Sequence, residues 1–181
     1  MKIYDCIFLD RDGTLNPDPG YIKNLDEFKF YPYTLSALKK IALNHNKFCI
    51  VTNQSGISRG LIKQNDLDKI HSFIKSEFEK NNIPLLEIFT ANDHPDKNPS
   101  SRRKPGPGMF FEARDSFGID LANSLIIGDS FADIEAGRLL GMDSMLVLSG
   151  NGIKTLSLIS RIKIPNYIVN DLNEGAKQLC Q

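Results

Sequence analysis

Short apolar runs and helically spaced apolar positions alternate along this chain. The first run, Ile3 to Leu9, is interrupted only by Asp5; Phe48-Cys49-Ile50-Val51, Leu85 to Thr90, Ser124 to Ile127, Met145 to Leu148 and Tyr167 to Val169 follow the same pattern. Runs so short and continuous predict strands buried on both faces, as in a parallel sheet. Between them the period becomes that of a helix. Leu35, Leu38, Ile41 and Ala42 share one face of a segment from Tyr33 to Leu43 whose other face carries Lys39 and Lys40. Leu67, Ile70, Phe73, Ile74 and Phe78 form a stripe on a longer helix ending at Lys80, with Asn65 or Asp66 suited to cap its start. Further helices are predicted over Met109 to Phe117, Asp133 to Leu140, Ile153 to Ile159 and Leu172 to Leu179. Parallel neighbours need helical crossovers. The alternation therefore predicts one doubly wound α/β domain over residues 1–181, a mostly parallel sheet with helices on both faces and no large cap.

Three of the apolar runs stop at polar clusters. The first ends in Asp10-Arg11-Asp12-Gly13-Thr14-Leu15-Asn16, the second in Thr52-Asn53-Gln54-Ser55-Gly56, and the fourth in Gly128-Asp129-Ser130. Ligands of α/β sheets bind outside the carboxyl ends of the strands, where these clusters fall. Two carboxylates one residue apart repel each other unless a hard cation such as Mg²⁺ keeps one charged and the other holds a proton for acid–base work. The plainer reading of Asp10 and Asp12 is a strand-ending turn with solvated aspartates. Two irregular stretches lie between the clusters. Pro17-Asp18-Pro19-Gly20-Tyr21 suits a shaped loop facing a substrate. The excursion from Ala91 to Gly108 carries four prolines and the basic triplet Arg102-Arg103-Lys104, which is either solvated or meets an anion.

Composition narrows the partners. Lys plus Arg and Asp plus Glu both number 22 in 181 residues, so no global field attracts nucleic acid or an anionic membrane. Any anionic ligand must find a local basic cluster. Cys6, Cys49 and Cys180 have no spacing that suggests a disulfide framework or metal site, which fits a reducing cytoplasm. Met1 runs straight into the first strand without an export leader, and no apolar run is long enough to span a bilayer. A soluble cytoplasmic monomer is the expectation.

Taken together, Asp10 and Asp12, Thr52 and Asn53, Lys104 and Asp129 resemble, in order and spacing, the four motifs of the haloacid dehalogenase superfamily of phosphatases, over most of the chain to about Gly150. Leu9 to Asn16, Gly20-Tyr21, Thr52 to Gly60 and Arg103-Lys104-Pro105-Gly106-Pro107-Gly108-Met109 look like the branch that removes the 7-phosphate of D-glycero-D-manno-heptose 1,7-bisphosphate. The related histidinol-phosphate phosphatases share the first motif and the Arg-Lys-Pro step and are the near alternative. The resemblance implies Asp10 as nucleophile through an aspartyl phosphate, Asp12 as general acid and base, and Thr52 and Lys104 on the phosphoryl oxygens. It further implies Mg²⁺ on Asp10, the carbonyl of Asp12, and Asp129, and substrate contacts from Asp18, Pro19, Gly20, Tyr21, Asn53, Gln54, Ser55, Arg59, Arg103 and Ser130. Arg59 has the alternative of a solvated arginine, and Asp133 is either a neighbour of the metal or a helix-start acid. Many members of the branch hold zinc in the excursion through Cys-x-His and Cys-x-Cys. Here Ala91, Asp93, Ser100 and Arg102 stand at those positions with only His94 nearby, so no structural zinc is expected, and Pro95, Pro99, Pro105 and Pro107 are expected to stiffen the loop instead. A phosphoacceptor signalling domain also uses a strand-end Asp with Mg²⁺, Thr and Lys. Asp12 argues against it, since an acid two residues downstream suits turnover of the phosphoenzyme.

Overall fold

The structure is a computed structural model and describes residues 2–97, 100–159 and 164–181. Six parallel strands form its sheet: β1 (Ile7–Leu9), β2 (Phe48–Asn53), β3 (Leu85–Ala91), β4 (Leu125–Gly128), β5 (Asp143–Val147) and β6 (Tyr167–Val169), in the order β3-β2-β1-β4-β5-β6. The chain steps outward from β1 in one direction, then returns to its other side through β4. Strand order therefore reverses at β1, and the crevice at its carboxyl end is where such sheets bind ligands.

The helices are α1 (Thr34–Ala42), α2 (Gln64–Lys80), α3 (Gly108–Phe117), α4 (Phe131–Leu140), α5 (Gly152–Leu158) and α6 (Leu172–Leu179). Successive strand residues point to opposite faces, so each strand feeds two cores. Ile7, Leu9, Ile50, Ile127 and Val147 join Leu38 of α1, Ile74 of α2 and Leu172 of α6 on one side. Phe8, Cys49, Val51 and Ile126 join Met109, Phe110 and Ala113 of α3 and Ala136 of α4 on the other. Phe8 and Phe110 meet edge to face at 5.1 Å, pinning α3 beneath the central strand.

The expected elements all occur, with shifted ends. The β1 ladder begins only at Ile7, because Tyr4 and Asp5 bond Asn46 and Asn123 instead of a neighbouring strand. Neither Asn65 nor Asp66 caps α2. The helix starts earlier, after Lys63, whose carbonyl accepts from Asp66 and Leu67, and Asp66 lies inside the first turn. Short 3₁₀ turns at Leu25–Glu27 and Leu121–Asn123 were not foreseen; side chains of Asn24 and Asp120 cap them. Pro99 lies outside the described residues.

Candidate active site

Asp10 leaves the end of β1 with its backbone N–H still bonded to Ile127 O of β4, at 2.9 Å, so the sheet itself aims its side chain into the crevice. Lys104 comes to meet it from the excursion before α3. Its Nζ donates to Asp10 Oδ1 at 2.8 Å and to Val51 O at 2.7 Å, and stands 2.6 Å from Asp133 Oδ1. Oxygens of Asp10, Asp129 and Asp133 all lie within 4.8 Å of one another, and all three residues are buried. Three carboxylates thus face one ammonium. Burial, reinforced by Asp133 and Asp129, pushes Asp10 well above the usual carboxylate range despite Lys104. Burial likewise raises Asp129, to about 6. Burial opposes the charge on Lys104 too, but Asp10 and Asp133 outweigh it and push its pKa up. A cage of hard oxygens with uncompensated negative charge fits a hard divalent cation.

The cage is shaped by absent side chains. A Cβ at Gly13 would fall 2.0 Å from Asp129 Oδ2, and one at Gly150 2.2 Å from the same atom. Both glycines also have positive φ, +85° and +57°, where L side chains are strained. Asp129 is therefore clamped between two turns, and Ser149 Oγ donates to Gly13 O at 2.7 Å to hold them together. The Asn151 N–H donates to Asp129 Oδ2 at 2.6 Å, closing the clamp.

Asp12 turns its carboxylate away from this cluster. Arg11, which is fully buried, donates Nε to Oδ1 at 3.0 Å and Nη2 to Oδ2 at 2.7 Å. Asn16 adds a bond to Oδ1 at 2.9 Å, and Gln54 one to Oδ2 at 2.7 Å. Burial alone would raise this group. The Arg11 pair and these hydrogen bonds prevail and hold it below the usual range, so Asp12 rests ionised.

A cleft of about 280 Å³ opens above these groups, lined by Asp10, Asp12, Asp18, Gly20, Thr52, Asn53, Arg103, Lys104, Asp129, Ser130, Ala132 and Asn151. The expected catalytic set is thus gathered at one place. Several expected substrate contacts stand differently. Pro19, Tyr21, Gln54, Ser55 and Arg59 do not line the cleft. Gln54 is buried behind it, its amide nitrogen bonded to Asp12 and to Thr52 Oγ1 at 2.9 Å. Ser55 forms a turn in which its carbonyl accepts from Arg59 N and Ser58 Oγ. Arg59 lies 3.8 Å from Asp96, near enough to Arg103 to press on its charge. Asn53 lines the cleft, yet both ends of its amide are taken by the Lys104 backbone, at 3.0 and 3.2 Å. Asp12 was expected to offer the metal its backbone carbonyl, and its carboxylate stands outside the cluster of Asp10, Asp129 and Asp133.

Asp133 belongs both to the start of α4 and to the carboxylate cluster. It sits at the start of α4, accepting from Ser130 N–H at 3.1 Å and Ser130 Oγ at 2.5 Å, and its other oxygen meets Lys104. Asn151 was missed, although Leu148-Ser149-Gly150-Asn151-Gly152 after β5 is one more apolar run stopping at a polar, glycine-bearing turn. His94 Nδ1 accepts the Asp96 N–H within the excursion.

Residues 101–175 match the HAD-hydrolase-like family model. The D-glycero-beta-D-manno-heptose-1,7-bisphosphate 7-phosphatase of Photorhabdus laumondii is 31% identical over 181 residues, covering 96% of this chain and 94% of that one. The chain belongs to the haloacid dehalogenase-like phosphatases. Within that family the alpha-anomer phosphatase of Burkholderia mallei is 35% identical, covering 79% of each chain. The structure of D,D-heptose 1,7-bisphosphate phosphatase from B. bronchiseptica, complexed with magnesium and phosphate, superposes with a TM-score of 0.87 at 33% identity, covering 99% of this chain and 98% of that one. The doubly wound sheet is thus that of a haloacid dehalogenase-like phosphatase.

Proposed function

We propose that this phosphatase removes the 7-phosphate of D-glycero-D-manno-heptose 1,7-bisphosphate, with Asp10 as nucleophile. The observation that carries the reading is the position of Lys104 Nζ, bonded to Asp10 and Asp133 beside Asp129 in a cleft that Arg103 also lines. That cleft offers one site for a phosphoryl group and a second cation nearby. The names borne by the relatives and by the magnesium- and phosphate-bound neighbour support the same substrate.

In the first half-reaction an Asp10 oxygen attacks phosphorus, the bond from phosphorus to the sugar oxygen breaks, and that oxygen takes a proton from Asp12. In the second, water attacks the phosphoaspartate and gives a proton to Asp12, and release of phosphate regenerates Asp10. The ionised Asp12 found here is the form that accepts the water's proton. To act as acid it must be protonated and give up donors among Arg11, Asn16 and Gln54. Thr52 accepts from Gln54, which leaves its hydroxyl hydrogen for a phosphoryl oxygen. Asp10, Asp129 and the Asp12 carbonyl would hold Mg²⁺, which when bound neutralises charge on the transferred phosphoryl group. Asp133 keeps Lys104 charged and aimed. Arg103 is suited to the second phosphate by its planar donor fork.

Phosphate release with Mg²⁺ tests the reading, comparing both anomers of the heptose bisphosphate with fructose 1,6-bisphosphate and histidinol phosphate. One heptose anomer is expected to exceed the other classes by about tenfold or more in kcat/KM. A best turnover on histidinol phosphate overturns the substrate and leaves the reaction standing.

A further inference from the structure

Between β3 and α3 the described residues among 92–107 form no helix or strand, yet this segment delivers two cleft cations. Lys104 arrives secured at its backbone by Asn53 and at its Nζ by Asp10, Val51 and Asp133. Arg103 has a long bond from Nη1 to Asp93 O, at 3.4 Å. Its place in the cleft therefore follows the backbone that carries it.

That backbone is braced from outside the cleft. Arg102 donates Nη2 to Thr90 O near the end of β3, at 2.9 Å, and its Nη1 pairs with Glu112 on α3. The Asp93 carboxylate accepts from the Ser100 N–H at 3.1 Å and from its hydroxyl, and Ser100 Oγ accepts from Arg102 N at 3.2 Å. The returning arm of the loop packs on the same turn. Gly106 N–H donates to Arg103 O and Gly108 N–H to Ser101 O, each at 2.7 Å. A Cβ at Gly106 would fall 2.4 Å from Ser101 O, and one at Gly108 2.8 Å from Arg102 Cα, so nothing larger fits between the two passes of backbone.

We propose that Arg102, tied to Thr90 and Glu112 and seated on the Asp93–Ser100 bond, is a positioning latch that sets Arg103 against the cleft and so favours substrates with a second anionic group. The proposal rests on the reading of Arg103 as the partner of that group. A half-exposed ion pair adds little to stability, but a displacement of about 1 Å at a binding group costs far more in rate than in folding.

The test compares Arg102→Ala, Arg102→Lys and Glu112→Gln with Arg103→Ala, on the sugar bisphosphate and on a small aryl phosphate that has no second anionic group. For Arg102→Ala, KM on the bisphosphate is expected to rise about tenfold with kcat little changed, while both constants on the aryl phosphate stay within about twofold. Arg102→Lys should fall between, and Glu112→Gln, which keeps the acceptor, should stay near wild type. Amide hydrogen exchange over residues 100–108 should accelerate in Arg102→Ala, which reports the latch without turnover. Arg102→Ala with unchanged exchange and unchanged KM overturns the latch. Equal losses on both substrates also overturn it, in favour of a general folding role. If Arg103→Ala raises the bisphosphate KM and Arg102→Ala does not, the latch alone fails. If Arg103→Ala changes nothing while Arg102→Ala still loosens the loop, the reading of Arg103 fails, and the specificity role goes with it.

Discussion

Lys104 Nζ stands 2.8 Å from Asp10 Oδ1, although 94 residues separate the two in the chain. The contact joins the end of the central strand to the loop before α3, and it brings Asp133 of α4 within 2.6 Å of the same ammonium. One cation therefore holds two buried carboxylates in place.

Replacing Lys104 with methionine keeps its length and removes its charge. Asp10 and Asp133 are then left buried without their partner, which should destabilise the metal-free protein by about 3 kcal/mol or more. Phosphate release should fall at least about a thousandfold, because the phosphoryl charge loses its fixed counter-ion. Urea denaturation with and without Mg²⁺, alongside steady-state assay, checks both. A variant within tenfold of wild-type activity would reject the role given to Lys104.

The raised carboxylates make stability depend on pH and metal together. Asp129 titrates at about 6 in the fold against an ordinary 3.8, and Asp10 is raised in the same direction. Over that interval the folded chain binds more protons than the unfolded one, so stability from these groups is present near pH 4 and lost as pH rises through 6. A bound cation favours the ionised forms and reverses the loss. The stabilisation by excess Mg²⁺ over chelator should therefore grow between about pH 4 and pH 7, by on the order of 2 kcal/mol from Asp129. His71 has the opposite slope, since burial, aided by Arg11, lowers it to about 4 and it loses stability as pH falls below its usual 6.5. That contribution is common to both conditions and cancels in the difference. A difference that stays flat across the range counts against the cation cage.

Gly150 permits no side chain. In Gly150→Ala the new Cβ would lie 2.2 Å from Asp129 Oδ2 and 2.5 Å from Gly13 Cα, at a φ of +57°. The strain should cost about 1–3 kcal/mol, and Mg²⁺ affinity measured by calorimetry should weaken about tenfold or more as Asp129 moves. Unchanged affinity would mean that Asp129 is not a ligand.

Gln54 separates positioning from binding. Its amide nitrogen is bonded to Asp12 and Thr52, so Gln54→Leu should lower kcat by about 10- to 100-fold through the proton-transfer step while KM stays within about twofold. A raised KM at constant kcat would return Gln54 to the substrate-contact role expected from its motif.

The order of strands and helices along the chain was legible in the sequence, as was the meeting of Asp10, Asp12 and Thr52 in one cleft, because each depends on a local rule. A buried parallel strand must be a short apolar run, and the residues that follow it must be polar and small to form a crevice. Asp129 could be read for the same reason, whereas Ser130, expected at the substrate, also caps α4 with Asp133. The division of labour among neighbours could not. Asn53 and Gln54 lie side by side in one motif, yet one ties down the Lys104 backbone and the other props Asp12, and Asp133 joins the site by reaching across α4's first turn to Lys104. Arg11 had no role in the sequence reading, yet it is the buried counter-ion that keeps Asp12 ionised. Asn151 and the Arg102 brace depend on which turns come to lie against β3, β4 and α3. The one-dimensional pattern determined that the carboxylates would stand at the carboxyl ends of the strands. Only tertiary structure decided which hydrogen bonds they make, because a buried polar group must take whatever partner the packing of distant segments brings within about 3 Å.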